Sequence, residues 1–188
     1  MGTLKTTNIQ TITGSGTLTL GTSGETVTIP SGVTVGGNMS NTPAFEARLS
    51  SAQTVSDSTD TKAQIDNILF DTDNCYDNTT NYRFTPTVAG KYFIYGNISA
   101  FSQNASQLNI ARCSIYKNGS VVKVANLDFR NNPARYILNP VSTVQEANGT
   151  TDYFEFFGYI SGSGTDTFQA NTSANDGTRF GAYRLIGA

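Results

Sequence analysis

Asp71, Asp73 and Asp77 stand close to Asn74 and Asn78 in the run D-T-D-N-C-Y-D-N. Clustered carboxylate and amide oxygens are what a hard cation such as calcium requires. The run lacks the glycine and the closing glutamate of an EF-hand loop, so an Asx-rich turn is the simpler reading and a weak calcium site the alternative. Other chemistry is scarce. The chain has no histidine, which removes Ser-His-Asp and Cys-His catalysis and histidine-ligated zinc. Its 14 acidic residues show no spacing that singles out a glycosidase pair. The expectation is a protein that is not an enzyme and holds no cofactor. Cys75 and Cys113 could pair, but two thiols do not make a disulfide framework, and two half-buried free thiols in a reducing compartment fit better.

The function classes set by charge are equally narrow. Net charge is −2 and the basic residues are scattered, so no nucleic-acid groove or polybasic membrane patch is expected. No apolar run is long enough to insert in a membrane, and the first residues do not read as a secretion signal. Met1 to Thr6 matches a myristoylation pattern only loosely. Charged residues make up 14% of the chain, and the abundance of Thr, Ser, Asn and Gly favours short strands and turns over helices.

The elements that must position any site are therefore strands. Residues 1–42 contain three small alternating rungs, Leu18-Thr-Leu20, Val27-Thr-Ile29 and Val33-Thr-Val35, separated by glycines and Pro30. Each offers too little apolar surface for a core, so they read as a β-rich Thr/Gly stalk or attachment segment that gains stability by stacking. Pro43 marks a boundary, and residues 43–188 read as the globular head. Within it, Ser50 to Thr61 reads as a polar loop, and Gln64 to Phe70 as a strand with Ile68 and Phe70 inward. Tyr82 to Gly96 reads as two strands joined through Pro86 and Gly90, and Asn118-Gly119 marks a type I′ hairpin. The strand through Tyr92, Phe93, Ile94 and Tyr95 is apolar on both faces, as is Tyr153 to Ile160. Monomers rarely expose contiguous aromatic patches, so Tyr92, Tyr95, Tyr153, Phe157 and Tyr159 are candidates for a subunit interface. Asn104, Asn131, Asn132, Tyr136 and Asn175 fall in or beside loops, where stacking and amide hydrogen bonds suit sugar or protein ligands.

Eight to ten short strands in the head give an all-β, two-sheet antiparallel jelly roll. The order of motifs resembles the globular domain of the C1q and tumour-necrosis-factor superfamily. Ala44-Phe45 resembles its first strand, and Ile68-Leu69-Phe70-Asp71 a later strand end. Tyr76-Asp77 followed by Asn81 to Tyr95, N-Y-R-F-T-P-T-V-A-G-K-Y-F-I-Y, resembles its central signature. Tyr116-Lys117-Asn118-Gly119 resembles its hairpin, Asp152-Tyr153-Phe154 a further strand, and Phe180 to Leu185 the closing strand. Asn81 stands where the family prefers glycine, and Thr85 near a common cysteine. The resemblance implies a homotrimer that binds protein or glycan with its loops. The amino-terminal rungs resemble the stalks of bacteriophage tail fibres and other virion appendages. The combination implies a virion protein, assembled in the host cytoplasm beside other virion proteins, whose head binds a host surface glycan or protein. A capsid decoration protein of the same shape and a tail-spike glycan hydrolase are the alternatives.

Overall fold

The computed structural model describes residues 26–31, 33, 41–170 and 177–186. The chain forms two compact units, Met1–Val35 and Gly36–Ala188. Of the first unit's expected rungs, Val27, Ile29 and Val33 are exposed; Leu18, Leu20 and Val35 lie outside the described residues, as does Asn175.

The second unit is a sandwich of two antiparallel sheets, and no helix occurs among the described residues. Its strands are β1 (Ala44–Arg48), β2 (Gln53–Val55), β3 (Thr61–Lys62), β4 (Asn67–Asp71), β5 (Tyr76–Asp77) and β6 (Arg83–Phe84). They continue with β7 (Gly90–Ser102), β8 (Ile110–Lys117), β9 (Ser120–Asp128), β10 (Tyr136–Ala147), β11 (Phe154–Ser161), β12 (Asp166–Phe168) and β13 (Arg179–Arg184). One sheet, here sheet A, runs β2-β12-β7-β13-β1-β4 with β10 on the other edge of β7. Sheet B runs β5-β6-β11-β8-β9, and β3 adds to β11. The stretch expected as a loop from Ser50 to Thr61 thus contributes two short strands, stabilised by pairing with β12 and β11 rather than by any local pattern.

The core is aromatic and comes from both sheets. Phe45 stacks on Tyr76 at 4.5 Å and on Phe84 at 4.7 Å, and Phe156 lies parallel to Phe180 at 5.3 Å. Each such ring contributes about 1.5–3 kcal/mol by leaving water, and favourable ring pairs add about 0.5–1.5 kcal/mol. Buried Asn139 of β10 ties the sheets together, donating from Nδ2 to Ala111 O of β8 at 3.0 Å and Ala125 O of β9 at 3.2 Å. Cys113 donates its thiol to Asn139 O at 3.2 Å. Both cysteines are free and buried, and burial pushes the Cys113 thiol up to about 12.

The hairpin turn signal has its expected physical form. Asn118 and Gly119 take φ of 52° and 77°, the pair of positive values that a type I′ turn between β8 and β9 demands. Ile68 and Phe70 differ from expectation. Both are exposed, because β4 is the outermost strand of sheet A and a register shift between Glu46 and Ala47 interrupts its alternation, setting Phe70 opposite the outward Glu46. The inward apolar contacts of this segment come from Ala63 and Ile65, just before the strand.

Candidate functional site

The acidic run folds as turns whose oxygens are already engaged. Asp77 Oδ1 accepts from Thr80 N at 2.9 Å and Thr79 N at 3.0 Å, while Oδ2 accepts from Asn81 N at 3.1 Å. These donors hold its carboxyl well below the usual range. Asp71 accepts from Tyr76 N at 2.9 Å and Cys75 N at 3.1 Å. Asp73 Oδ2 accepts from the Thr72 hydroxyl at 2.6 Å. Carboxylates spent on their own backbone satisfy the turn, and Asp71, Asp73 and Asp77 form no metal cluster among the described residues.

The five interface candidates separate into three environments. Tyr92 is a correction: it is 0% exposed. On β7 the odd positions 93 and 95 face outward, so Tyr92 points into the sandwich, edge-on to Phe84 at 5.7 Å and donating its hydroxyl to Val88 O at 2.6 Å. Burial pushes its phenol up to about 12. It is a core residue and cannot meet another subunit.

Tyr95 lies on the outer face of sheet A. Register brings it opposite Gly181 and brings Phe93 opposite Tyr183. A Cβ on Gly181 would stand 2.5 Å from the Tyr95 ring, so glycine is what lets that ring lie across β13. Phe93, Tyr95 and Tyr183 form one cluster, with centroids 5.4 to 6.5 Å apart. Val144 of β10 faces Phe93 across the other edge of β7. Tyr183 is 37% exposed and Val144 48%. Phe70 of β4, opposite Glu46, is exposed as well, and Leu138 is exposed further along β10, beyond Ser142 and Pro140. The polar element of this face is a small network in which Tyr95 donates to Glu46 Oε2 at 2.8 Å and Arg179 pairs with Glu46 Oε1 at 3.2 Å. Burial and the Glu46 hydrogen bond push the Tyr95 phenol upward.

Tyr153, Phe157 and Tyr159 lie on the opposite outer face, that of sheet B, and there the chain covers them itself. Arg112 sits directly across from Tyr159 in the β8–β11 register and lies 3.7 Å above its ring. Arg83 of β6 lies 4.5 Å over Tyr153. Lys62 of β3 pairs with Phe157 in register, lies 5.7 Å over its ring and bonds to Glu155. Tyr116 packs on Phe157 at 4.3 Å. The residues missed by sequence reading are therefore Phe93, Tyr183 and Val144 on one face and the three cations on the other.

The loop candidates gather at one end of the sandwich. Asn104 lies in the β7–β8 loop, and Asn131 and Asn132 lie in the β9–β10 loop. The two loops are joined where Gln107 N and Leu108 N donate to Ala134 O at 3.1 and 2.9 Å. Tyr136 begins β10, accepts from the Ser99 hydroxyl at 2.6 Å, and lies opposite Phe101, over which Arg135 sits at 5.2 Å. Asn41 is at the other end, where its carbonyl accepts from Arg184 N at 3.1 Å.

No family model matches the chain, and no curated protein sequence matches it. Its fold is that of the C1q and tumour-necrosis-factor jelly rolls. The globular domain of zebrafish complement 1qA superposes with a TM-score of 0.51 at 13% identity, over 76% of this chain and 97% of that one. The S. frugiperda Eiger TNF gives 0.52 at 9% identity over 77% and 93%, and murine APRIL gives 0.50 at 10% over 76% and 98%.

Proposed function

We propose that the protein is a non-enzymatic binding head that assembles as a homotrimer through the outer face of sheet A. In this reading it stands at a fibre tip or on the surface of a bacteriophage virion, and the loop end carrying Asn104, Asn131 and Asn132 binds a host surface glycan or protein. The observation that carries the reading is the cluster of Phe93, Tyr95, Tyr183 and Val144, an apolar surface left open in the single chain. Such surfaces mark association sites, and closed symmetry gives every copy of one patch a partner. The fold shared with C1q- and TNF-type domains supports a binding role, and Asn41, at the end opposite the loops, leaves those loops free for a ligand. The virion context rests on the Thr/Ser/Gly-rich residues 1–42.

Two experiments test it. Sedimentation at low micromolar concentration is expected to give three times the 20.1 kDa chain mass; a monomer overturns the assembly. Labelled protein is expected to decorate host cells. Binding to capsids with no binding to cells would replace the receptor role with capsid decoration, and release of reducing sugar from host polysaccharide would overturn the non-enzymatic reading.

A further inference from the structure

A polar cleft lies beside the edge strand β2, apart from the loop end and from the outer face of sheet A. Its volume is about 310 Å³, at the small end of the range for small-molecule sites. Ser51 comes from the β1–β2 turn, Gln53 and Thr54 from β2, Gln64 and Asp66 from the segment between β3 and β4, and Tyr82 from the position before β6. Two of these polar groups are held in place by the protein. Asp66 accepts from Ser50 N at 2.8 Å and from the Ser50 hydroxyl. Gln53 donates from Nε2 to Lys62 O at 2.9 Å and accepts at Oε1 from Gln64 N at 2.9 Å. Each keeps capacity to spare, because a carboxylate or amide oxygen has a second lone pair and an amide nitrogen a second N–H. Ser51, Thr54 and Gln64 are exposed, and their side chains make no hydrogen bond among the described residues.

Tyr82 is the unusual member of the lining. Its φ is 49°, in the left-handed region that favours glycine. The ring is half-buried, pairs with no other ring, and its hydroxyl has no hydrogen-bond partner among the described residues. It therefore lacks the anchoring of Tyr76 and Tyr92, whose hydroxyls donate to Ile65 O and Val88 O. A disfavoured backbone conformation that carries a large side chain to the wall of a cleft points to a ligand there.

The lining selects the chemistry of that ligand. No lysine or arginine is among the described lining residues, so an anion gains no partner and meets the Asp66 carboxylate. A metal ion would find a single carboxylate already shared with Ser50, and an apolar ligand would strip water from amides and hydroxyls without replacing their bonds. A neutral polyol with one C–H face suits the whole set. Its C–H groups meet the electron-rich face of the ring, and its hydroxyls donate to the carboxylate and exchange bonds with the amides. We propose that this cleft binds one neutral sugar residue, with Tyr82 as the stacking wall, Asp66 and Gln53 as preset hydrogen-bond partners and Gln64 as a further one. The site depends on neither the trimer nor the virion reading, and its test uses free sugars.

The test is ligand-observed NMR of the full chain, titrated with galactose, glucose, mannose and N-acetylglucosamine, and with N-acetylneuraminic acid as the anionic control. At least one neutral sugar is expected to bind saturably, and the anionic sugar to bind far more weakly. Tyr82→Gly is expected to weaken binding by about tenfold while unfolding close to the wild-type temperature, because glycine relieves the left-handed backbone. Gln64→Ala alters an exposed side chain without a protein partner, so it leaves the fold intact should Tyr82→Gly fail to fold. It is expected to weaken binding by about 3- to 10-fold, the worth of one hydrogen bond. Absence of saturable binding by every neutral sugar overturns the proposal. Wild-type affinity in Tyr82→Gly or in Gln64→Ala overturns it as well, as does tighter binding of N-acetylneuraminic acid than of the neutral sugars.

Discussion

The outer faces of the two sheets both carry aromatic rows, and they differ in what lies over the rings. On sheet B, Tyr153, Phe157 and Tyr159 each have a cation from a neighbouring strand above them: Arg83, Lys62 and Arg112. On sheet A, Phe93, Tyr95 and Tyr183 touch one another, while the nearby Arg179 pairs with Glu46. Arg and Lys cover apolar surface with their stems and keep their charge in water, so the sheet B face is finished within one chain. The sheet A face lacks that finish among the described residues. An aromatic row therefore identifies an interface only when its own sheet leaves it uncovered.

Substitutions separate the core, the open face and the covered face. The largest effect belongs to Tyr92, which sequence alone does not distinguish from its neighbours. Tyr92→Ala is expected to destabilise the fold by about 3–5 kcal/mol, the cost of emptying a large buried aromatic site, as read by urea denaturation. A variant with wild-type stability and a monomeric mass would return Tyr92 to the interface. Next come Phe93→Ser and Tyr183→Ser. Each is expected to weaken assembly by about 2 kcal/mol or more, roughly 30-fold per residue, if these rings are central anchors. Dilution series in the ultracentrifuge read this directly, and an unchanged mass for the double variant would remove sheet A from the assembly.

How much of this could be read from the sequence depends on how local the cause is. The hairpin at Asn118-Gly119 was legible because two adjacent residues determine it. So was the two-sided apolar character of β7, but the identity of its inward face was not. With Tyr92, Phe93, Ile94 and Tyr95 all apolar, alternation gives two equivalent choices, and only the register against β13 decides between them. Ile68 and Phe70 misled for a related reason: a strand pattern does not reveal that the strand is an edge. The covering cations were invisible because Arg112 reaches Tyr159, and Arg83 reaches Tyr153, only through sheet pairing between distant segments.

The covered face predicts a smaller effect than the open one. Arg112→Ala is expected to cost about 1 kcal/mol in stability, the scale of one cation–π contact with some lost packing, and to leave the assembly mass unchanged. If it instead creates larger assemblies, the cation's main role is to keep the sheet B face from self-association, which would strengthen the contrast between the two faces.

The smallest effect is one of pH and lies with Tyr95. Burial and its hydrogen bond to Glu46 raise its phenol above the unfolded value of about 10. The sign follows from linkage: folded and unfolded chains are both protonated at this residue below about pH 10, so its contribution is complete there. As pH rises from about 10 through the folded value, the unfolded chain loses the proton first and the contribution disappears. Denaturation midpoints of wild type and Tyr95→Phe should therefore keep a constant difference from pH 8 to about 9.5, and the wild-type advantage should shrink above it. The raised phenols of Tyr76 and Tyr92 are present in both proteins and cancel in the difference. A difference that stays constant as pH rises past about 10 to 11 would mean that the Tyr95 hydroxyl ionises as it does in water. It would then be neither buried nor held by Glu46, and the hydrogen-bonded corner of the sheet A face would be open to solvent.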